Sequence, residues 1–436
     1  MKTITTDVLQ QLRSAYEADT TAPILHAALA KTDMAGLSYV PGAAARLKGA
    51  FSVEVRTRGI TAQQKSGRCW LFAALNILRE IVAERCHLNE FELSQNCLSF
   101  YDKLEKANNF LQMVINHADE PLKGQCMQYI LRGMSDGGYW CEAADLIKKY
   151  GVVPKQVQPE TYQSEHTDHF VATLNKLLRK DAMELRELVL TGKDPYVRKQ
   201  EMMQEVYKAG CIAFGQPVET FDFAYRDADG TYHEDRNLTP QSFYEKYVGL
   251  DMDQYVPVIN EPTSDKPMNG LVRFHGIENM ADRDMTALNI PQEELEELCI
   301  KQLKAGQAVW FACDAGASGA RKEGVWDPDS VRYEALLGGF STDMPKGKRL
   351  EYKSSSATHA MILTGVHFDE SGRPDRWKIE NSWGKDVGDK GYFVCSERYF
   401  KEFVYEAVIR REHFSPAQLD MLKKEAVVIN AWDEDV

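Results

Sequence analysis

No stretch of this sequence approaches the roughly eighteen consecutive apolar residues of a membrane-spanning helix, so no membrane span is expected. The opening residues, Met1-Lys2-Thr3-Ile4-Thr5-Thr6-Asp7, lack the apolar core of a secretion signal. The nine cysteines (Cys69, Cys86, Cys97, Cys126, Cys141, Cys211, Cys299, Cys313 and Cys395) are odd in number and share no repeated spacing. That argues against a disulfide framework. No C-x-x-C or H-x-x-x-H cluster suggests zinc, and no metal or cofactor is called for. Positive charge is in the minority, with 52 Lys and Arg against 65 Asp and Glu, a net charge of −13. That balance opposes nucleic-acid binding and favours solubility. Internal repeats and low-complexity tracts are absent. A cytoplasmic protein is expected. With 436 residues, 44% of them hydrophobic, the chain can bury two domains or one large two-lobed unit.

The chemistry is concentrated in a few segments. Gln63-Gln64-Lys65-Ser66-Gly67-Arg68-Cys69-Trp70 leads into an apolar stretch with Leu71, Ala74, Leu75, Leu78 and Val82 at helical spacing. Cys69 is therefore expected at a helix N-terminus, where unpaired N–H groups carry about half a positive charge. That field favours the nucleophilic thiolate, and an imidazolium partner lowers the thiol pKa further. Gln63 can offer a side-chain N–H to the oxyanion formed during attack.

A nucleophile of this kind needs a base and a group to orient that base. Thr358-His359-Ala360-Met361-Ile362-Leu363 reads as a buried strand opening on a histidine. Trp377-Lys378-Ile379-Glu380-Asn381-Ser382-Trp383-Gly384 reads as a second strand, ending in an asparagine beside a tryptophan. Gly388-Asp389-Lys390-Gly391 then makes a turn into a third strand. Asn381 would hold the imidazole in the productive tautomer, with the indole of Trp383 shielding the contact. His367, at the far end of the histidine strand, should face away. Taken alone, a cysteine before an apolar helix is a small buried hydrophobe, and a histidine beside a strand is merely hydrogen-bonded. The order Gln, Cys, His, Asn, each on a suitable element, favours catalysis over those readings.

With these segments the chain resembles the papain-like cysteine peptidases, and more closely their bleomycin hydrolase and aminopeptidase C branch. The likeness extends through Asp136-Gly137-Gly138-Tyr139-Trp140, Leu146–Lys155, Pro159-Glu160-Thr161, Phe243–Val248 and Ala308–Asp314. It implies an α+β, two-lobed papain-like fold with the active site in the cleft between a helical and a β-rich lobe. The expected boundaries are an N-terminal arm over 1–60, a helical lobe over 61–165, a mainly helical insertion over 166–290, a β-rich lobe over 291–415 and a C-terminal arm over 416–436. The 290 positions between Cys69 and His359 exceed the about 130–150 of papain-type enzymes, and the insertion accounts for the excess. Ser66 stands where the general pattern has a disulfide-forming cysteine, which fits a reduced compartment. No activation by propeptide removal is expected.

Gly137 and Gly138 would let extended substrate backbone pair with the cleft wall, with Asp136, Tyr139 and Trp383 bordering the subsites. The resemblance also implies peptide substrates and a homohexamer whose inner channel limits them to short or unfolded peptides. In the family's aminopeptidases a C-terminal arm enters the cleft and its terminal carboxylate, here Val436, holds the substrate amine. Ala431-Trp432-Asp433 matches that arm, but the family's usual continuation is replaced by Glu434-Asp435-Val436. An aminopeptidase is the favoured reading. The alternatives are an oligoendopeptidase with an open cleft and, more remotely, a non-catalytic peptide- or nucleic-acid-binding protein.

Overall fold

The computed structural model describes residues 3–434. Its centre is a twelve-stranded sheet that runs from one lobe into the other. From one edge the strands are Val427–Asn430, Gly270–His275, Met285–Asn289, Tyr255–Ile259, Val404–Arg410, Val309–Cys313, His359–Phe368, Pro374–Glu380, Tyr392–Ser396, Val325–Trp326 and Gly319–Ala320. Val53–Glu54 adds on beside the His359–Phe368 strand. The central strands Val309–Cys313 and His359–Phe368 are apolar and buried nearly throughout, as strands covered on both faces must be.

The helix Cys69–Arg85 lies against this sheet, burying Leu71, Ala74, Leu75, Leu78 and Val82 together with Trp310, Ala360 and Ile362. The opposite face is covered by Gln292–Lys304 and Glu397–Phe403, around Leu295, Leu298, Trp377 and Phe400. A separate helical core joins Gln95–Asn116, Asp168–Leu190 and Tyr196–Phe214 through Leu111, Leu178, Leu185 and Met202. This is the α+β, two-lobed architecture expected.

The insertion, expected to be mainly helical, carries its two long helices in its first part. They are broken at Gly192, where φ is +71°. Its second part is β: the hairpin Phe221–Arg226/Tyr232–Leu238, then the three strands Tyr255–Ile259, Gly270–His275 and Met285–Asn289. Those strands are short, and Pro-, Asn- and Gly-rich connections dominate the composition of 258–290. Their partners are distant in sequence, with Glu406 opposite Ile259 and Val427 opposite Val272, and no local pattern encodes that.

Candidate active site

The loop before Cys69 is held by side chains rather than by a covalent bridge. The Ser66 hydroxyl donates to the Gln63 carbonyl at 2.6 Å and accepts from Arg68 Nε at 3.0 Å. Arg68 is buried and paired with Glu160 at 3.0 Å. The Gly67 amide donates to Asp136 Oδ2 at 2.7 Å, and a Cβ on Gly67 would stand 2.9 Å from the Asp136 Cβ. Asp136 also takes Lys103 at 2.7 Å and the Thr167 hydroxyl at 2.5 Å, and despite its burial its carboxyl is held well below the usual range. Expected at the edge of the subsites, Asp136 instead spends its carboxylate fixing the loop.

Cys69 opens its helix as expected. Burial raises its thiol above the ordinary value, while the amide N–H groups of Ala360, Trp70 and Cys69 itself pull it down. The expectation of a lowered thiol is not met by the helix end alone, because burial outweighs the N–H groups. Burial likewise depresses the His359 imidazole to about 4, against the raising effect of its bond to Asn381. Burial therefore disfavours the charged form of each group, the thiolate of Cys69 and the imidazolium of His359.

The imidazole's tautomer follows from its partners. The Ser382 amide donates to Asn381 Oδ1 at 2.8 Å, which fixes that oxygen as an acceptor. His359 Nε2 lies 2.9 Å from the same oxygen and so carries the proton. Nδ1 takes no part in the bond to Asn381. Trp383 stacks on the imidazole at 4.7 Å and 24°, with the Arg321 guanidinium 3.8 Å from the indole centroid. Trp383 thus covers the histidine rather than lining the cavity. His367 bonds Asp375 at 2.8 Å, far along the strand.

Gln63 is buried. Its Nε2 donates to the Ser66 carbonyl at 2.6 Å and its Oε1 accepts from the Ser382 hydroxyl at 2.7 Å. One N–H of the amide remains. The neighbouring Gln64 has φ of +53° and is exposed. Segments 61–63 and 382–384 pair through Gln63 N to Ser382 O (2.8 Å) and Gly384 N to Thr61 O (3.0 Å). Deeper in, Arg79 of the Cys69 helix grips Glu380, next to Asn381, through bonds of 2.9 and 3.1 Å. Both are fully buried. This pair was not anticipated, though a lone carboxylate in an apolar strand was a signal.

A cavity of about 560 Å³ joins Gln63, Cys69, Gly137, Gly138, Tyr139 and His359 in one wall. A Cβ on Gly138 would stand 2.4 Å from Glu142 Oε2 and 2.7 Å from the Trp70 ring, so only glycine fits there. A second cavity of about 560 Å³ shares Tyr139, Ile277 and Ala357 with the first and reaches Glu406 and Asp433. The C-terminal strand Val427–Asn430 adds parallel to Gly270–His275. Beyond it, Trp432 packs on His117, Tyr129 and His275 at 5.3, 6.5 and 5.5 Å. Val436 lies outside the described residues.

The sequence profile of the peptidase C1-like family matches residues 3–435. The chain belongs to this family. It is 38% identical over 432 residues to aminopeptidase C of Listeria innocua, covering 99% of this chain and 98% of that protein. It is also 38% identical over 436 residues to aminopeptidase G of Lactobacillus delbrueckii, again with 99% and 98% covered. The crystal structure of PepW from Lactobacillus rhamnosis superposes with a TM-score of 0.96 at 39% identity, covering 99% of this chain and 98% of that one. The protein is a cysteine-type peptidase. Among the described residues no helix is long and apolar enough to cross a membrane.

Proposed function

We propose that the protein is an aminopeptidase that removes N-terminal residues from short or unfolded peptides through Cys69, His359 and Asn381. The observation that carries this reading is the seat of the C-terminal segment. It extends the sheet, packs Trp432 against the cleft residues Tyr129 and Gly276, and brings Asp433 to the cavity adjoining that of Cys69. The C-terminal segment thus stands beside the cleft, where it would restrict how far substrate extends on the acyl side. The names of the relatives, aminopeptidases C and G, agree with it.

The chemistry runs as follows. The Cys69 proton moves to His359 Nδ1 as sulfur attacks the carbonyl carbon. The oxyanion is met by the Cys69 amide and the free N–H of Gln63. His359 passes the proton to the leaving amine as the C–N bond breaks, giving a thioester. Water then attacks, delivers its proton to His359, and the acid leaves as the thiol is restored. Asn381 keeps the ring in its tautomer, and Gly137, Gly138 and Tyr139 form the wall along which the peptide lies.

A peptide compared with its N-acetylated form tests this. Loss of cleavage on acetylation is expected; retained cleavage would make the enzyme an oligoendopeptidase. A cytoplasmic location and a homohexamer are part of the same reading. Helix Thr6–Glu17 buries none of its residues and exposes Leu9, Leu12 and Tyr16, apolar surface that a neighbouring copy would cover. Light scattering should give the mass of six chains, and a monomer would refute the assembly.

A further inference from the structure

The cleft and the cavity adjoining it hold carboxylates that the reaction above does not use. Glu278 lines the same cavity as Cys69. It is 5% exposed, and its Oε2 has no hydrogen-bond partner. Glu406 lines the adjoining cavity, is 3% exposed, and its Oε1 has no partner either. The two feel each other's charge, with Tyr139 and Cys141 in the same cluster.

Several charged groups around them have partners of their own. Glu142 accepts from the Tyr139 amide at 2.7 Å and faces Lys106 at 3.8 Å. Lys106 is itself shared with Asp102 at 3.2 Å. Glu261 is paired with Lys266 at 2.8 Å. Asp284 bonds His275 at 2.8 Å, and Arg283 stands 3.8 Å from Asp145. The Cys141 thiol donates to Glu278. Arg132 lies over Tyr129 at 5.6 Å. In the wall of the second cavity the carboxylates of Glu261, Asp265, Glu351, Glu406 and Asp433 outnumber the ammonium groups of Lys266 and Lys353.

We propose that Glu278 and Glu406 form a subsite for an organic cation, an ammonium carried by the peptide on the acyl side of the cleaved bond. The proposal rests on the peptidase reading of the cleft. A buried carboxylate oxygen without a partner is costly, and a ligand cation that reaches this cluster supplies a missing hydrogen bond and the compensating charge. Burial and crowding hold Glu278 at about 7 and Glu406 at about 8. Near neutral pH Glu406 is thus mostly protonated and Glu278 close to its midpoint, and an entering ammonium favours the ionised forms.

That ammonium has two sources, a free peptide N-terminus or a lysine side chain. Calorimetry on Cys69→Ala protein separates them without turnover. One pair of probes is Leu-Leu and acetyl-Leu-Leu; the other is acetyl-Lys-Leu and acetyl-norleucyl-Leu. In at least one pair the cation-bearing peptide should bind at least about tenfold tighter than its neutral partner. The further change Glu278→Gln with Glu406→Gln should abolish that difference. If the double variant fails to fold, Glu406→Gln alone should cut it at least about threefold. No discrimination in either pair, or discrimination that survives the substitutions, overturns the proposal. Cation discrimination in a protein whose wild type hydrolyses nothing would sink the peptidase reading and keep this subsite. Hydrolysis without discrimination would do the reverse.

Discussion

The two ends of the cleft are built on opposite rules. At the reacting end polar groups are held in place. Asn381 Oδ1 takes two donors, Gln63 bonds at both its oxygen and its nitrogen, and Arg79 neutralises Glu380. At the far end Glu278 and Glu406 each leave a buried oxygen unsatisfied. A reacting centre needs geometry fixed before the substrate arrives, because reorganisation during attack would raise the barrier. A binding end can leave the last contact to the ligand. The ends also respond oppositely to pH. Burial disfavours the cation on His359 and the anions on Glu278 and Glu406.

The comparison breaks first if the reacting end proves dispensable. Cys69→Ala should lower hydrolysis of a fluorogenic aminoacyl amide by on the order of 10⁴-fold or more, with the melting temperature preserved. Arg79→Ala leaves Glu380 charged and buried alone, and should cost about 3–5 kcal/mol in denaturant unfolding. An unchanged midpoint would mean that the helix and the asparagine strand are not held by this pair. Asn381→Ala frees the imidazole tautomer and should reduce kcat by about 10²-fold, with KM nearly constant.

The pH responses sharpen the contrast. His359 has a folded value of about 4 against an ordinary 6.5, so the unfolded chain binds the proton first on acidification. Its share of stability is complete above 6.5 and is lost as pH falls toward 4. Relative to His359→Gln, the wild type should lose about 2 kcal/mol between pH 7 and pH 5. Glu406 has the opposite sign, with a folded value of about 8 against 4.5. Its share is complete below 4.5 and is lost as pH rises toward 8. Glu406→Gln should therefore gain about 1 kcal/mol on the wild type between pH 6 and pH 7. A parallel pair of stability curves would remove the distinction between the two ends.

Much of this site could be read from the chain. Cys69 declares itself by standing where an apolar helix begins, and His359 by opening a buried strand. Gln63 and Asn381 follow from the chemistry that such a pair requires. The part not legible is the part made by long-range pairing. Asp136, next to the glycine pair, looks like a cleft residue until Gly67, Lys103 and Thr167 are found around its carboxylate. The strands within 255–289 are hidden because their hydrogen-bond partners lie in the segments 404–410 and 427–430.

The sequence by itself pointed to the kind of reaction, through the order of Gln63, Cys69, His359 and Asn381 and the resemblance of their segments to the cysteine peptidases. Only the tertiary structure decided which carboxylates are spent on the framework and which stand unpaired in the cleft. Charge pairing depends on distances between segments remote along the chain, and residue order carries no measure of those distances.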